Sequence, residues 1–103
     1  MNEVAKKEWA AALRSGEYKQ IRGRLHNGEG FCATGVLFDA CIDGWWFEKP
    51  DGGWSAGPER RFNLTVDQLK KVDLGYLICM QVQGFNDCGW SFKDIADWIE
   101  ENL

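Results

Sequence analysis

The chain has 103 residues, 45% of them hydrophobic, and a formal net charge of −4 at neutral pH. This length excludes two independent hydrophobic cores, so we expect residues 1–103 to form a single domain. The acidic balance argues against a dedicated nucleic-acid-binding protein, because such proteins generally use a basic surface to displace counterions from phosphates.

The N-terminal residues show no apolar stretch of the kind found in secretion signals, and no run reaches the roughly 18 apolar residues of a membrane-spanning helix. The chain has four cysteines, at Cys32, Cys41, Cys79 and Cys88. They form no CxxC pair, and their spacing matches no metal-ligand pattern. We therefore expect a cytoplasmic protein with free thiols and without a cofactor or a metal site.

The first predicted element is a helix over residues 3–15. Trp9 and Leu13 belong to an apolar set at helical spacing, Asn2 is suited to cap the start, and Gly16 is suited to end the helix. Residues 18–25 then read as a short strand. The Asn27-Gly28 pair behind it is a strong signal for a hairpin turn with a return through residues 29–31.

Residues 31–43 are apolar nearly all round, which predicts a buried helix at the centre of the core. Gly35 costs a helix about 1 kcal/mol relative to alanine, and this cost is tolerable if another element packs closely against it. The aromatic run 45–47 reads as a strand, residues 50–53 as a turn, and Trp54 as the start of the returning strand. Another extended stretch is predicted over residues 60–64.

Two further helices follow in the C-terminal part. Thr65 and Gln68 match a capping box, which predicts a short helix through Val72. Residues 74–85 favour a helix, although the alternation from Tyr76 to Val82 leaves a strand open. Ser91 is suited to cap a final helix with one apolar stripe. The predicted class is thus α+β, with about four helices around a buried central helix packed on a small antiparallel sheet.

The tryptophan-rich segment and the last helix are candidate contact surfaces for a protein partner. Alternation along a strand sends Trp45 and Trp46 to opposite faces, so one of them is expected to be exposed or covered by a partner. Trp54 belongs to the same segment. Asp97 and Glu101 lie on the acidic face of the last helix. Packing beneath a loop is the commoner explanation for the tryptophans, and solubility charge is the commoner explanation for the acidic face.

The local basic cluster comprises Arg14, Lys19, Arg22 and Arg24. Such a cluster is suited to receive a phosphate or an acidic partner surface, although a solvated hairpin face is the commoner explanation. Residues 86–96 resemble a helix-turn-helix, but the candidate recognition helix is acidic and DNA phosphates would repel it. A packed helical hairpin is therefore the favoured interpretation.

Cysteine chemistry is the alternative hypothesis. Cys32 is predicted near a helix start, where the amide dipoles lower a thiol pKa, and His26 lies six residues earlier as a candidate base. The strongly apolar neighbours of Cys32 favour a buried core thiol instead.

Three stretches together resemble a group of small uncharacterised proteins of phages, prophages and bacteria. They are residues 12–20 (ALRSGEYKQ), 31–39 (FCATGVLFD) and 86–100 (NDCGWSFKDIADWIE). Members often carry Cys, Leu and Cys where this chain has Ala33, Thr34 and Phe38, so a thiol site in such members would be incomplete here. The resemblance implies an accessory protein of a mobile element and no known activity. The leading hypothesis is a non-enzymatic protein-binding module that engages or inhibits a host factor, and the alternative is a small cysteine-dependent enzyme.

Overall fold

The computed structural model describes residues 1–57 and 63–103, which form five helices and two strands. The helices are α1 (Glu3–Arg14), α2 (Ala33–Cys41), α3 (Val66–Lys70), α4 (Tyr76–Asp87) and α5 (Phe92–Asn102). The strands β1 (Trp46–Glu48) and β2 (Trp54–Ala56) form an antiparallel hairpin between α2 and α3. The predicted α+β class is confirmed, with five helices rather than about four.

Polar side chains set the starts of three helices, as the sequence predicts. The Asn2 side chain accepts hydrogen bonds from two amides in the first turn of α1. Thr65 and Gln68 form the reciprocal capping box of α3. At the start of α5, Ser91 Oγ accepts from the Asp94 amide at 3.1 Å. These contacts satisfy amide groups that the helix itself leaves without partners.

The centre of the core is α2, whose first six residues, Ala33 to Phe38, are all buried. It packs against α1 and α4, and α1 also packs along α5. A β-carbon at Gly35 would lie 2.0 Å from the Leu25 carbonyl oxygen, so only glycine allows this approach. An element does pack closely against Gly35, and it is the loop before α2.

The strand predicted for residues 18–25 is wrong, although the chain does turn at Asn27. Asn27 Oδ1 accepts from the Gly30 amide at 2.7 Å, and only single bridges join Gln20 and His26 to Phe31. The imperfect apolar alternation of residues 18–25 offers no continuous face for a ladder. Side chains from α4 bind this loop instead.

The helix favoured for residues 76–82 is confirmed, and the strand alternative is wrong, because Cys79 and Val82 reach the core at helical spacing. Of the extended stretch predicted over residues 60–64, residues 60–62 lie outside the described part of the chain. No helix in the described ranges combines the length and the apolar character that crossing a membrane requires.

Candidate functional site

The hairpin directs its aromatic side chains to two sides. Trp45, just before β1, is 80% exposed, and Phe47 is 40% exposed. Trp46 lies between them and is half-buried. Successive side chains of an extended chain alternate, so Trp45 and Phe47 share one face while Trp46 points to the other. Of the two adjacent tryptophans, Trp45 is therefore the one left to solvent.

Trp46 is anchored on its inner side. Its ring lies 4.8 Å from Phe38 and 4.9 Å from His26, centroid to centroid. Its indole N–H donates to Asp39 Oδ1 at 3.1 Å, and the Tyr18 hydroxyl donates to Asp39 Oδ2 at 2.7 Å. Burial, and then the bond to Asp39, raise the pKa of Tyr18, so this hydroxyl stays a donor. Asp39 thus holds β1 to α2.

Trp54 also belongs to this inner cluster. Its ring centroid lies 5.4 Å from that of His26, and its amide donates to the His26 carbonyl at 2.9 Å. The tryptophans that the sequence grouped together therefore separate into two roles. Trp46 and Trp54 pack around His26, whereas Trp45 points away from it.

Trp45 and Phe47 also line a cleft of about 360 Å³. Phe38 and Ile42, from α2 and its end, supply further apolar surface. The remaining lining residues are Asp43, Gly44, Gly57, Gln68 and Lys71. This volume falls in the usual range of ligand pockets, and it is large enough for a bulky side chain of a partner.

The cleft is bounded by α3 opposite the hairpin, and two hydrogen bonds hold α3 in place. Gln68 Nε2 donates to the Ala56 carbonyl at 2.8 Å, and Lys71 Nζ donates to the Asp43 carbonyl at 3.4 Å. The apolar surface of the cleft therefore lies beside one lysine ammonium and one aspartate. Such a mixture of apolar area and a few polar groups is typical of binding sites in general.

Cys32 is the N-cap of α2, as the sequence predicts, and it is fully buried. Its sulfur accepts from the Gly35 amide at 3.4 Å and lies 3.2 Å from Thr34 Oγ1. Burial raises the pKa of the Cys32 thiol despite its position at a helix start. The thiolate, the nucleophilic form, is therefore disfavoured.

His26 is buried as well, and its contacts differ from those of Cys32. Its Nδ1 donates to the Gly30 carbonyl at 2.7 Å, and its ring stacks on Phe31 with centroids 3.9 Å apart. Within residues 1–57 and 63–103 no hydrogen bond joins His26 to Cys32. In the same ranges, no three His, Cys, Asp or Glu side chains are grouped so that they could hold a metal ion.

A family model described as Domain of unknown function (DUF8296) matches residues 1–69, more than half of the chain. The chain belongs to the DUF8296 family. No curated protein and no solved structure matches it. The DUF8296 match includes the hairpin, α1, α2 and the start of α3. It therefore covers the first two stretches that carry the resemblance noted from the sequence, and it ends before residues 86–100.

Three of the four residues of the predicted basic cluster pair with separate acidic partners. Arg14 pairs with Asp97 at 2.6 Å and also with Glu100. The other two pairs are Lys19 with Glu29 at 4.0 Å and Arg24 with Asp51 at 3.4 Å. Arg22 is exposed and makes no ion pair with any described residue. Three of the four cations are thus directed to different parts of the molecule.

The acidic face of α5, outside the DUF8296 match, is partly occupied within the molecule. Asp97 and Glu100 bind Arg14 and so join α5 to α1, whereas Glu101 is exposed. Asp97 therefore supports helix packing in addition to being an exposed charge. Among the predicted contact residues, Trp45 is the one with the largest exposed apolar surface.

Sequence reasoning missed Asn86 as a structural centre. It is fully buried in α4, and its Oδ1 accepts from the Ala33 amide at 3.1 Å and from Gln20 Nε2 at 2.9 Å. Its Nδ2 donates to the Ile21 carbonyl at 2.8 Å. Asn86 thereby fixes the 18–25 loop on the start of α2. The available signal was that Asn86 is polar yet lies four residues after Val82, so it continues the helical spacing of the apolar residues in 74–85.

Proposed function

We propose that the protein is a non-enzymatic binding module, and that it engages a protein partner through Trp45, Phe47 and the adjacent cleft. The observation that carries this proposal is the 80% exposure of Trp45 beside an apolar cleft, while neighbouring Trp46 is anchored inside. An exposed tryptophan lowers the solubility of a domain, and tryptophan is enriched among the residues that dominate the binding energy of interfaces.

The cleft supplies a second element of such an interface. An apolar side chain of the partner fits into the cleft beside Trp45 and Phe47, with buried Phe38 and Ile42 at its base. Lys71 and Asp43 offer polar contacts at the edge of the same surface. This arrangement of an aromatic anchor, an apolar pocket and a polar rim is the usual anatomy of protein interfaces.

The setting we propose is that of an accessory protein of a phage or prophage whose partner is a host protein. The three stretches that resemble small proteins of phages, prophages and bacteria support this setting. The acidic net charge favours a protein over a nucleic acid as the partner.

The cysteine-dependent enzyme has less physical support. Its nucleophile would be Cys32, whose burial raises the thiol pKa, and its base would be His26, which is bound to the Gly30 carbonyl. Alkylation by iodoacetamide at pH 7 tests it directly. Rapid loss of the Cys32 thiol in the folded protein would favour the enzyme, whereas we expect modification there only after unfolding.

The binding proposal is tested with two variants matched in exposure. Trp45→Ala removes the anchor at the cleft, and Leu77→Ala removes a side chain that is 81% exposed on α4. A partner captured from host lysate by the tagged protein is purified, and its affinity for each variant is measured by calorimetry. We expect Trp45→Ala to weaken binding by about 30-fold, the effect of an interface hot spot, and Leu77→Ala by less than about 2-fold.

The outcomes are distinct. A partner that binds both variants as tightly as the unchanged protein uses another surface and overturns the assignment of the site. A partner that is lost equally with both variants does the same. Failure to find any saturable protein partner would overturn the proposed function itself.

A further inference from the structure

The two outer edges of the hairpin are covered to very different extents. Strand pairing aligns Trp46 with Ala56 and Glu48 with Trp54. The cross-strand bonds at the two ends join Gly57 N to the Trp45 carbonyl at 3.1 Å and Lys49 N to the Gly53 carbonyl at 2.7 Å. Since hydrogen-bonded and non-hydrogen-bonded pairs alternate in an antiparallel ladder, the backbone groups of residues 46 and 48 point away from β2.

The corresponding groups of β2 are occupied by the rest of the domain. The Trp54 amide donates to the His26 carbonyl at 2.9 Å, and the Ala56 carbonyl accepts from Gln68 Nε2 at 2.8 Å. On β1, the outward N–H and C=O groups of Trp46 and Glu48 have no such partner within residues 1–57 and 63–103. An uncovered strand edge is a template for pairing with another strand.

We propose that β1 pairs antiparallel with β1 of a second copy of this chain, and so joins two hairpins into one four-stranded sheet. The edge is complementary to itself in one register. In this register Phe47 faces Phe47 of the second copy across a two-fold axis. Trp46 then lies opposite Glu48 of the second copy, and Glu48 lies opposite Trp46 of the second copy. All the outward groups of residues 46 and 48 on both copies are then hydrogen-bonded.

The side chains suit this register. Phe47 occupies a non-hydrogen-bonded pair, in which opposing side chains approach most closely, so two half-exposed phenyl rings cover each other at the axis. Glu48 of one copy faces Trp46 of the other, so the two Glu48 carboxylates are not directly opposite. Three residues per strand make a small interface, below the roughly 1,200 Å² of stable complexes, and a weak dimer follows.

This dimer extends the proposed function and rests on it in one respect. The two-fold axis of an antiparallel strand pair is perpendicular to the sheet, so both copies present Trp45 and the cleft on the same side. If that surface binds a partner, the dimer binds two copies or two segments of it, and avidity increases the apparent affinity. The two surfaces share the Phe47 ring, but Trp45 belongs to the cleft alone. The outward backbone groups of Trp46 and Glu48 belong to the strand edge alone, so variants at these positions test each surface without the other.

Glu48→Pro tests the pairing. It removes an N–H that points away from β2, and proline is tolerated at such edge positions, so the hairpin keeps its own bonds. Glu48→Ala is the matched control, because it removes the same side chain and keeps the N–H. Circular dichroism checks that both variants fold, and sedimentation equilibrium from about 10 μM to about 1 mM covers the range of weak interfaces.

We expect the mass of the unchanged protein and of Glu48→Ala to rise with concentration from 11.7 kDa toward twice that value. Glu48→Pro should dissociate at least about 10-fold more readily, because both symmetry-related bonds are lost. The proposal is overturned if the unchanged protein stays monomeric over the whole concentration range. It is also overturned if Glu48→Pro folds and dimerises as well as the unchanged protein.

A second measurement reports the register and does not depend on proline. Phe47→Cys in a Cys88→Ser background places two thiols in the facing pair, where Cα atoms lie about 4.5 Å apart, within disulfide range. With oxidised glutathione as the oxidant, we expect a covalent dimer to form several-fold faster than with Glu48→Cys in the same background. Equal rates overturn the register. Two further measurements separate this proposal from the proposed function. We expect Glu48→Pro to bind the partner with unchanged affinity per site, and we expect Trp45→Ala to dimerise like the unchanged protein.

Discussion

The helical part of the molecule and the outer side of the hairpin differ in how many of their polar groups and aromatic rings find partners within the domain. In the helical part, the Asn86 side chain bonds four neighbouring groups, Trp9 donates to the Ala33 carbonyl, and Arg14 pairs with α5. On the outer side of the hairpin, Trp45 is 80% exposed, and the edge of β1 has no partner strand among residues 1–57 and 63–103. The comparison indicates that the helical part carries the stability, whereas the hairpin carries surface that is available for contacts.

The sharpest way to break the helical part is Gly35→Ala. The new β-carbon would meet the Leu25 carbonyl oxygen at 2.0 Å, and neither the helix nor the buried loop can move without disturbing the core. We expect a loss of at least about 3 kcal/mol in the free energy of unfolding, measured by urea denaturation. Gly84→Ala is the control, because Gly84 is an exposed position of α4 and its β-carbon would meet nothing within 4 Å, so it should stabilise by about 0.5–1 kcal/mol. Similar effects of both variants would contradict the close approach.

Asn86→Ala tests how much the hydrogen bonds of this buried side chain contribute to the stability of the fold. The change leaves the buried Ala33 amide and the Ile21 carbonyl without their partner, and we expect a loss of about 2–3 kcal/mol. Asn102→Ala, whose exposed side chain bonds only the Trp98 carbonyl, should change stability by less than about 0.5 kcal/mol. If urea denaturation gives equal values for the two variants, the 18–25 loop is not held by Asn86.

The adjacent residues Trp45 and Trp46 allow the same comparison of stability between two neighbouring positions. Trp46→Ala loses ring contacts with Phe38 and His26 and the bond to Asp39, so we expect about 2 kcal/mol of destabilisation. Trp45→Ala removes a side chain that is 80% exposed and should alter stability by less than about 0.5 kcal/mol. Thermal unfolding of the two variants side by side decides the point, and a larger effect for Trp45 would place it in the core.

The most gradual expected effect is that of two thiols, buried Cys79 and half-buried Cys41, at high pH. Burial raises the pKa of Cys79 to about 12 and that of Cys41 to about 11, whereas an unfolded thiol titrates near about 8.5. Their contribution is therefore fully present below pH about 8.5 and is lost as the pH rises through the folded values. Cys79 removes about 1.4 kcal/mol of stability per pH unit inside this window, and Cys41 removes less because it is only half-buried.

Replacing Cys79 with alanine should therefore flatten the dependence of stability on pH between about pH 9 and 10.5 by about that slope. Cys88→Ala, at an exposed position, is the control and should keep the slope of the unchanged protein. The measurement is urea denaturation at several pH values. An unaltered slope in Cys79→Ala would show that this thiol is accessible to water.

Several elements were predictable because their signals are local. Asn2, Thr65 and Ser91 cap helices in the structure where the sequence places them, since capping depends on residues within one turn. The hairpin around residues 50–53 was found for the same reason. The strand over residues 18–25 was wrong, because that segment is held by the side chain of Asn86, which lies more than sixty residues away in the sequence.

The candidate site was predictable only in part. Alternation indicated that one of Trp45 and Trp46 faces outward, but both sides of a strand are equivalent until the surrounding elements are known. Asp39 and His26 decide the matter by holding Trp46 inside. Likewise, the sequence placed Cys32 at a helix start, where a low thiol pKa is expected, and burial among apolar neighbours produces the opposite shift.

The sequence by itself determined the α+β class, the helix starts and the burial of α2, because periodicity and capping are properties of neighbouring residues. Tertiary structure alone decided which tryptophan is exposed, where the cleft lies, which edge of the hairpin the described residues leave uncovered and what Asn86 binds. These features depend on contacts between segments distant in the chain, and the free energy of such contacts is not encoded in any single stretch of sequence.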